Sequence, residues 1–315
     1  MMGSSNHKSV ISQLATGHRL AKKILSQDNQ SLIQDLGLAV SSDNEYVWLD
    51  HPLELLDESL ILREIRPEPL DLLRSLEIHW DIASTNDYLL NKMQNSDSHG
   101  HVCLAERQTA GRGRRGRNWV SPFGVNLYLS IGWTFPSKMK NLSALSLVVG
   151  MEAVRMMREM GLEDVWLKWP NDLLRQQGKL GGILIEAANS GSQLSLIIGI
   201  GLNFEAGVPL LSGVDQSIGF VPKHSGITRN LLAGRLIGRL IGALEAFSHT
   251  GFGSYQREWA GFNQYQNQNV SVVLGDRTLR GIDRGIDEQG HLILESEGKI
   301  LTFSSGEVSM RAEAR

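Results

Sequence analysis

The stretch that decides the fold is GRGRRGRNWVSPFG, residues 111–124 of a 315-residue chain. Counted from Arg107 to Arg117, the sequence holds five arginines and no acidic residue, although the whole chain carries a formal net charge of −3. Glycine lets a backbone approach a ligand closely, and guanidinium groups bind phosphate oxygens as a bidentate fork. A solvated basic loop is the simpler alternative. The interleaved glycines and the apolar Trp119 and Phe123 instead favour a cradle for a polyanion.

Three glycines of this stretch also satisfy the G-x-G-x-x-G pattern of a dinucleotide-binding turn. That fold needs a helix directly after the glycines. Here Pro122 and Gly124 interrupt the chain, and no helical period is found before Leu142. The sequence therefore disfavours a Rossmann nucleotide site.

A second polar cluster is KWPND, residues 168–172. Apolar Val165 and Leu167 alternate with Lys168, which predicts a strand that turns Lys168 away from the apolar face and ends at a proline. The cluster thus offers an ammonium, an amide and a carboxylate at the end of a strand. Its last residue, Asp172, is a candidate ligand for a metal ion.

Two later stretches, KLGGILIE at 179–186 and GIGLN at 199–203, place glycines inside apolar strands. Glycine weakens a strand, and its presence there often marks a close approach of another backbone or of a ligand. Both stretches therefore support a binding site near the KWPND cluster.

The pattern around these motifs predicts a mixed α/β fold whose sheet is antiparallel in part. Ser84 begins a capping box, with Asp87 three residues later, and starts a helix over 86–93. Turn residues at 189–192 separate two apolar strands and favour a hairpin. The other predicted elements are a helix over 142–160, strands over 46–49, 180–187 and 194–203, a helix from Thr228 to Gly251, and short strands after Asn269.

Composition places the chain among globular proteins, because 41% of its residues are hydrophobic and 21% are charged. Intrinsic disorder and fibrous repeats are excluded, and the small negative net charge excludes general electrostatic adhesion to nucleic acid or lipid. The longest apolar stretches fall short of the roughly 18 residues that a membrane helix needs. The single cysteine, Cys103, fits a reducing compartment. We therefore expect a cytoplasmic protein without membrane partners.

In their order and combination, these motifs resemble the biotin-protein ligase family, particularly its bifunctional bacterial members that also repress the biotin operon. The resemblance extends from about Ile82 to Arg311. It implies a mixed α/β catalytic domain like those of class II aminoacyl-tRNA synthetases and lipoate ligases, closed by a C-terminal SH3-like β-barrel. The matching segments are 84–86, 108–117, 168–172, 179–186, 199–203 and 306–311.

Pro67 and Pro69 interrupt the chain, and the sequence pattern changes after them, so we place a domain boundary there. Together with the resemblance, this boundary predicts three domains. These are a winged-helix-like remnant over residues 1–66, a biotin- and ATP-binding catalytic domain over residues 67–268, and an SH3-like domain over residues 269–315.

The N-terminal segment matches the DNA-binding domain of repressor-type relatives poorly. Between Gly17 and Asp28 the chain is too short for a full helix, a tight turn and a second helix. Residues 1–66 carry six basic against nine acidic residues, whereas a DNA-binding domain needs a basic face. A degenerate structural remnant is therefore favoured over operator DNA binding. The alternative stays open through the local cations Lys8, Arg19, Lys22 and Lys23.

Carried over position by position, the resemblance also implies the residues of the site. The biotin-binding residues are Ser84, Thr85, Asn86, Gln108, Arg112, Gly113, Arg114 and Lys168. The ATP-binding residues are Arg114, Arg117, Trp119, Asn203 and Arg311. From the charges that the implied reaction has to stabilise, we expect Lys168, Arg112 and Arg114 to be the catalytic residues and Asp172 to be a metal ligand, directly or through water.

The implied reaction is ATP-dependent and releases AMP. Biotin is first joined to the α-phosphate of ATP with release of pyrophosphate, and is then passed to a lysine of the biotin carboxyl carrier protein of acetyl-CoA carboxylase. A carboxylate must approach a triphosphate, so the site needs fixed cations and Mg²⁺ rather than an enzyme nucleophile. The resemblance also admits a homodimer.

Two rival functions share parts of this pattern. A lipoate or octanoate ligase would have the same fold and chemistry with a different pocket, and the arginine-rich stretch favours biotin over these acids. A transcription regulator that senses biotin without turning it over is the alternative that is not an enzyme.

Overall fold

The computed structural model describes residues 2–66, 70–93, 99–136, 139, 142–176, 178–190, 193–205, 217–305 and 309–312. The N-terminal part folds as a small helical unit with a three-stranded antiparallel sheet in the order β1-β3-β2. Its elements are α1 (Met2–Ala15), β1 (Leu20–Ala21), α2 (Gln27–Asp35), β2 (Val40–Ser42) and β3 (Tyr46–Leu49). The predicted strand over 46–49 is confirmed.

Between β1 and β2 the chain forms one short 3₁₀ turn, Lys22–Ile24, and one helix, α2. Ser26 caps α2, because the Asn29 backbone N–H donates to its hydroxyl at 3.2 Å. The core of the unit also takes up a side chain from far along the chain, the 2% exposed Phe123. The core residues of this unit are Val10, Ile11, Leu14, Leu20, Ile33, Leu36, Val47, Leu49 and Phe123.

A seven-stranded mixed sheet forms the centre of the molecule, in the order β4-β5-β6-β10-β9-β8-β7. Strands β4 and β5 are parallel and joined by a crossover helix, and the other neighbouring pairs are antiparallel. The elements are α3 (Glu58–Arg63), β4 (Ser75–Ile82), α4 (Thr85–Met93), β5 (His101–Gln108), β6 (Leu127–Phe135), α5 (Leu145–Glu159), β7 (Val165–Lys168), β8 (Asp172–Arg175), β9 (Gly178–Ser190), β10 (Gln193–Leu202), α6 (Arg229–Thr250) and α7 (Gly253–Glu258). The predicted mixed α/β fold is confirmed.

Helices α5 and α6 pack on each other and cover one face of this sheet with apolar side chains. Leu232, Leu236 and Leu240 recur at helical spacing on α6 and are fully buried, so their burial holds the helix to the sheet. Ile61 and Ile65, which precede the predicted boundary at Pro67, also belong to this core. The domain boundary at Pro67 stays a prediction, and the apolar core includes side chains from the chain before it.

A buried polar network joins the chain just before α3 to the sheet and to α6. Arg229 and Glu106 form an ion pair of 2.8 Å with side chains only 4% and 1% exposed. Arg229 also donates to the carbonyl of Glu54, and the side chain of Asn230 donates to the Glu54 carboxylate at 2.7 Å. A buried charge pair needs such additional hydrogen bonds to offset its desolvation.

The C-terminal residues form a five-stranded antiparallel sheet in the order β14-β13-β12-β11-β15. The predicted short strands after Asn269 are therefore confirmed. The strands are β11 (Asn269–Leu274), β12 (Arg277–Ile286), β13 (Leu292–Ser296), β14 (Lys299–Phe303) and β15 (Ser309–Ala312). Of the segments that carried the family resemblance, residues 306–308 lie outside the described residues, as do residues 191 and 192 of the predicted hairpin turn.

Among the described residues, no helix has both the length and the apolar character needed to cross a membrane. Cys103 is fully buried on β5. Burial raises the pKa of its thiol well above the ordinary value, so the group is held as an inert neutral thiol.

Candidate active site

A cleft of about 1070 Å³ lies where the central sheet meets the C-terminal sheet. Its walls come from the start of α4, the end of β5, the turn after β7, and strands β9 and β10. The glycine–arginine loop, residues 111–117, forms one side, and Met310 and Arg311 of β15 contribute from the C-terminal sheet. Sequence-distant segments thus converge on one cavity.

The glycine–arginine loop folds back on itself as a narrow hairpin. The Gly113 N–H donates to the Arg117 carbonyl at 2.7 Å, and the Trp119 N–H donates to the Gly111 carbonyl at 2.9 Å. Arg115 (φ 58°) and Gly116 (φ 70°) lie in the left-handed region at the tip. The chain then continues into β6 without a helix, which agrees with the argument against a Rossmann turn.

Neutral hydrogen-bonding groups line the cavity at the start of α4. Gln108 at the end of β5 accepts from the Thr85 backbone N–H at 2.9 Å and from its hydroxyl at 3.1 Å. The Ser130 hydroxyl of β6 donates to Asn86 Oδ1 at 2.6 Å and lies 2.7 Å from Thr85 Oγ1. Ser84 caps the helix, since the Asp87 N–H donates to its hydroxyl at 3.4 Å. These amides and hydroxyls are held in fixed orientations.

Glycines in β10 make room for two side chains of the site. A Cβ at Gly199 would overlap Asn86 Oδ1, and a Cβ at Gly201 would lie 2.6 Å from Trp119 Cε2. Both distances are far inside van der Waals contact. These strand glycines do mark a close approach, but the groups that approach Gly199 and Gly201 are the side chains of Asn86 and Trp119, and not the backbone or ligand that was expected.

Two lysines that line the cavity share one carboxylate. Lys168 Nζ lies 3.0 Å from Asp172 Oδ2, and Lys179 Nζ lies 2.7 Å from Asp172 Oδ1. Burial opposes ionisation of Asp172, but the charges of Lys179 and Lys168 lower the pKa of its carboxyl below the ordinary value. Lys179 Nζ also lies 5.4 Å from the centre of the Trp119 ring. The group carries two positive charges against one negative charge.

Arg114 extends from the glycine–arginine loop across the cavity. Its Nη1 donates to Asn171 Oδ1 at 2.9 Å, and its Nη2 donates to the Ser305 carbonyl just after β14. Burial, and next the charge of Arg115, lower the pKa of Arg114 from the usual arginine value. Both of these acceptors are neutral, so the charge of Arg114 adds to those of Lys168 and Lys179 in the lining of the cavity.

Arg112 is in a different electrostatic setting. Its Nη2 donates to Asp87 on α4 and lies 2.8 Å from Glu186 Oε2 on β9. Asn86 Nδ2 donates to the same Glu186 oxygen at 2.8 Å. Arg112 thus pairs with two carboxylates and connects the loop to α4 and to β9.

Most of the residues implied by the sequence resemblance line this one cavity. The lining residues among them are Ser84, Thr85, Asn86, Gln108, Arg112, Gly113, Arg114, Arg117, Trp119, Lys168, Asp172 and Arg311. Asn203 does not line it: this residue is 7% exposed, and its side-chain amide donates to the Lys179 carbonyl at 3.0 Å. Asn203 thus supports the strand that carries Lys179. The binding and catalytic roles themselves stay predictions.

Sequence reasoning assigned no role to Lys179, Glu186 or Asp87 within the site, although it quoted the stretches that contain them. Lys179 could have been suggested by its position before two strand glycines. The contacts of Glu186 and Asp87 with Arg112 join residues 74 and 25 positions apart, and no local pattern encodes them.

The donor set does not fit the magnesium ligand expected at Asp172. Both oxygens of this carboxylate already accept from ammonium groups, which would repel a divalent cation. Among the residues that the structure describes, no group of three or more His, Cys, Asp or Glu side chains could hold a metal ion. Asp172 is better understood as the counter-ion that orients Lys168 and Lys179.

Comparison with known proteins identifies the family. The Biotin/lipoate A/B protein ligase family matches residues 81–203, and the Biotin protein ligase C terminal domain matches residues 266–311. The chain is 39% identical over 264 residues to the bifunctional ligase/repressor BirA of Escherichia coli strain K12. The alignment covers 78% of this chain and 80% of that protein. It is 31% identical over 252 residues to the biotin–[acetyl-CoA-carboxylase] ligase of Mycobacterium tuberculosis. That alignment covers 75% of this chain and 88% of the relative.

Solved structures agree with these relatives. The biotin protein ligase from Aquifex aeolicus in complex with biotin and ATP superimposes with a TM-score of 0.65 at 28% identity, covering 76% of this chain and all of that one. The resemblance predicted from the sequence motifs is confirmed. With 39% identity across four fifths of a ligase and a matching family model over the cavity strands, this chain belongs to the ATP-dependent biotin protein ligases.

Proposed function

We propose that this protein activates biotin with ATP and transfers it to a lysine of the biotin carboxyl carrier protein of acetyl-CoA carboxylase. The observation that carries the proposal is the convergence of Lys168, Lys179 and Arg114 on one cavity that also holds neutral amides and hydroxyls. Such a cavity suits a ligand with an anionic end and an uncharged polar end, as biotin has.

In the first step, a biotin carboxylate oxygen attacks the α-phosphorus of ATP. A new bond forms between this oxygen and the α-phosphorus. The bond between the α-phosphorus and the oxygen that bridges it to the β-phosphorus breaks, and pyrophosphate leaves. Lys168, Lys179 and Arg114 neutralise two reactants that would otherwise repel each other, and they stabilise the charge that grows on the phosphoryl oxygens. We assign Arg117, Trp119 and Arg311 to the nucleotide, because they line the same cavity.

In the second step, the neutral amine of the carrier lysine attacks the acyl carbon of the adenylate. The amide bond forms, AMP leaves with the electrons of the acyl–oxygen bond, and the proton lost by the amine passes to water. Lys168 lies at the end where the carbonyl oxygen gains charge, and it acts there as a fixed donor. Ser84, Thr85, Asn86 and Gln108 hold the uncharged ring end of biotin through the whole sequence. Mg²⁺ is expected to accompany the ATP, and no step here depends on a protein ligand for it.

Transfer of labelled biotin to a purified carboxyl carrier domain, with ATP and Mg²⁺, tests the function directly. Lys168→Ala should slow single-turnover formation of biotinyl-adenylate by at least ~10²-fold, the usual effect of removing one preorganised donor. A near-parental rate in this variant would refute the catalytic assignment of Lys168. Turnover of lipoate or octanoate in preference to biotin would identify the rival acyl ligase, and absence of turnover would favour a biotin-sensing regulator.

We infer three domains, with residues 1–66 as a degenerate winged-helix unit and residues 269–315 as an SH3-like closure of the cavity. The first assignment is supported by the hairpin of β2 and β3, which follows the one helix between β1 and β2, and the second by the short antiparallel strands. Phe123, buried in the N-terminal core, supports a structural role for that unit.

Gel-shift titration with biotin-operator DNA tests the N-terminal assignment. The titration is done with biotinyl-adenylate present and with salt near 0.1 M, where charges on a protein surface still act over about 10 Å. If the unit is a structural remnant, we expect no sequence-specific shift of the DNA. A specific shift that competitor DNA does not remove would show that the unit reads an operator.

A further inference from the structure

We propose that Tyr265 is a further residue that contacts the substrates, and that its phenol hydroxyl donates a hydrogen bond to an anionic oxygen of the biotin carboxylate or of an ATP phosphate. The inference rests on the proposed function, because it names a contact within the same cavity. Tyr265 lies between the two matched family regions, residues 81–203 and 266–311, and outside every motif that carried the resemblance.

The backbone around Tyr265 is fixed to β7, the strand that ends in Lys168. The Gln264 N–H donates to the Leu167 carbonyl of β7 at 2.9 Å. The Tyr265 N–H donates to Oδ1 of Asn263 at 3.1 Å, and Asn263 is only 3% exposed. These bonds hold Tyr265 next to the strand that supplies Lys168.

The side chain of Tyr265 combines an anchored ring with an available hydroxyl. It packs against the main apolar core, and the residue also lines the cavity. Within the described part of the chain, its hydroxyl has no hydrogen-bond partner. Tyr128, which also lines the cavity, instead donates its hydroxyl to the Pro122 carbonyl at 3.0 Å. A half-buried tyrosine hydroxyl usually has a partner, so a bound ligand is the candidate acceptor for Tyr265.

The protonation state of Tyr265 and the charges in the lining suit an anionic acceptor. Burial, and next the charge of Asp172, raise the pKa of the Tyr265 phenol above its ordinary value. The phenol therefore keeps its proton at neutral pH and can donate it in a hydrogen bond. Lys168, Lys179 and Arg114 line the same cavity and attract a carboxylate or a phosphate. Tyr265 would add a directed hydrogen bond to that attraction.

Tyr265→Phe tests the proposal, because it removes the hydroxyl and keeps the ring. Single-turnover formation of biotinyl-adenylate, measured at subsaturating biotin and ATP, should slow by about ten- to a hundredfold. This is the range expected for loss of one hydrogen bond to a charged group.

Equilibrium binding of biotin without ATP identifies the acceptor. If the hydroxyl contacts the biotin carboxylate, Tyr265→Phe should bind biotin about tenfold more weakly than the parent does. If it contacts a phosphate, biotin should bind as in the parent, and the loss should appear only in the steps that need ATP.

Tyr88→Phe is the matched control, because Tyr88 does not line the cavity and its hydroxyl donates to Glu77 Oε2 at 2.6 Å. This variant should form the adenylate within about twofold of the parental rate, and its urea midpoint should fall because a protein hydrogen bond is lost. Tyr265→Phe should show the opposite pattern, with a parental urea midpoint and slow adenylate formation. A purely structural role of the Tyr265 hydroxyl would not produce that pattern.

The outcomes separate this inference from the proposed function. If the parent protein transfers no biotin to the carrier domain, the proposed function fails. If the parent is active and Tyr265→Phe forms the adenylate within about twofold of the parental rate, the contact assigned to Tyr265 is refuted. A fall in the urea midpoint of Tyr265→Phe as large as that of Tyr88→Phe would also overturn it, because the hydroxyl would then have a partner within the protein.

Discussion

At the scale of single residues, the site depends on glycine, because a residue without a side chain leaves space for a neighbour that lines the cavity. Gly199 leaves space for the Asn86 side chain, which is then fixed by Ser130 and Glu186. Because protein interiors are close-packed, one added methyl group there has to displace a neighbour. The displaced neighbour is a residue of the proposed biotin pocket, so the effect should appear in binding.

Gly199→Ala should raise the KM for biotin about tenfold, because overpacking typically costs about 1–3 kcal/mol and 1.4 kcal/mol is a factor of ten. Steady-state transfer of biotin at varied biotin concentration measures this. Gly242→Ala is the control, since a Cβ at Gly242 on α6 meets nothing within 4 Å. It should leave KM unchanged and stabilise the helix by about 0.5–1 kcal/mol. Equal KM values for parent and Gly199→Ala would contradict the argument.

At the scale of elements, α4 and α6 form a matched pair, because each begins with a hydroxyl side-chain cap. Ser84 caps α4 at the cavity, and Thr228 caps α6 at an exposed position, where the Leu231 N–H donates to its hydroxyl at 3.2 Å. Capping alone predicts the same loss for both substitutions. The pair therefore separates the structural role of Ser84 from its proposed role in binding.

Ser84→Ala and Thr228→Ala should each lower the free energy of unfolding by about 1 kcal/mol, measured by chemical denaturation. Ser84→Ala should also raise the KM for biotin, because Ser84 lines the cavity. Thr228→Ala should not. If both variants lose stability and neither changes KM, Ser84 acts only as a helix cap.

Elements with local signals were predictable from the sequence. The start of α4 follows from a capping serine, and the strand over 46–49 from a short run of apolar residues. Strand β7 follows from alternating residues, and its end from a proline. The parallel pairing of β4 with β5 was not predicted, because it depends on a crossover and not on a turn. The ion pair between Lys179 and Asp172 and the one between Arg112 and Glu186 were not predicted either, because they form only when distant parts of the chain come together.

At the scale of the whole molecule, the C-terminal sheet contains a buried acidic side chain. Asp283 on β12 is fully buried and accepts from Asn263 Nδ2 at 2.9 Å and from the Gly285 N–H at 2.8 Å. Burial raises the pKa of its carboxyl from 3.8 to about 6, against the opposing effect of these two hydrogen bonds. The folded protein thus binds a proton at Asp283 more tightly than the unfolded chain does.

Stability should therefore depend on pH through this group. Because the folded pKa is raised, the contribution of Asp283 is fully present below about pH 4 and is lost as the pH rises through about 6. Asp283→Asn should flatten that fall in the free energy of unfolding, measured by urea titration at several pH values. Asp276→Asn, at the exposed turn between β11 and β12, should keep the parental slope. An unchanged slope in Asp283→Asn would refute the assignment.

The burial of Cys103 has a practical consequence for studying motion in this protein. Its thiol has no exposed surface and a raised pKa, so maleimide dyes should leave it unmodified in the folded state. A cysteine introduced at Val120, which is 47% exposed beside the cavity, would then be the one site that takes up a fluorophore. Single-molecule traces from such a dye could follow opening and closing of the neighbouring loop without any prior removal of the natural cysteine.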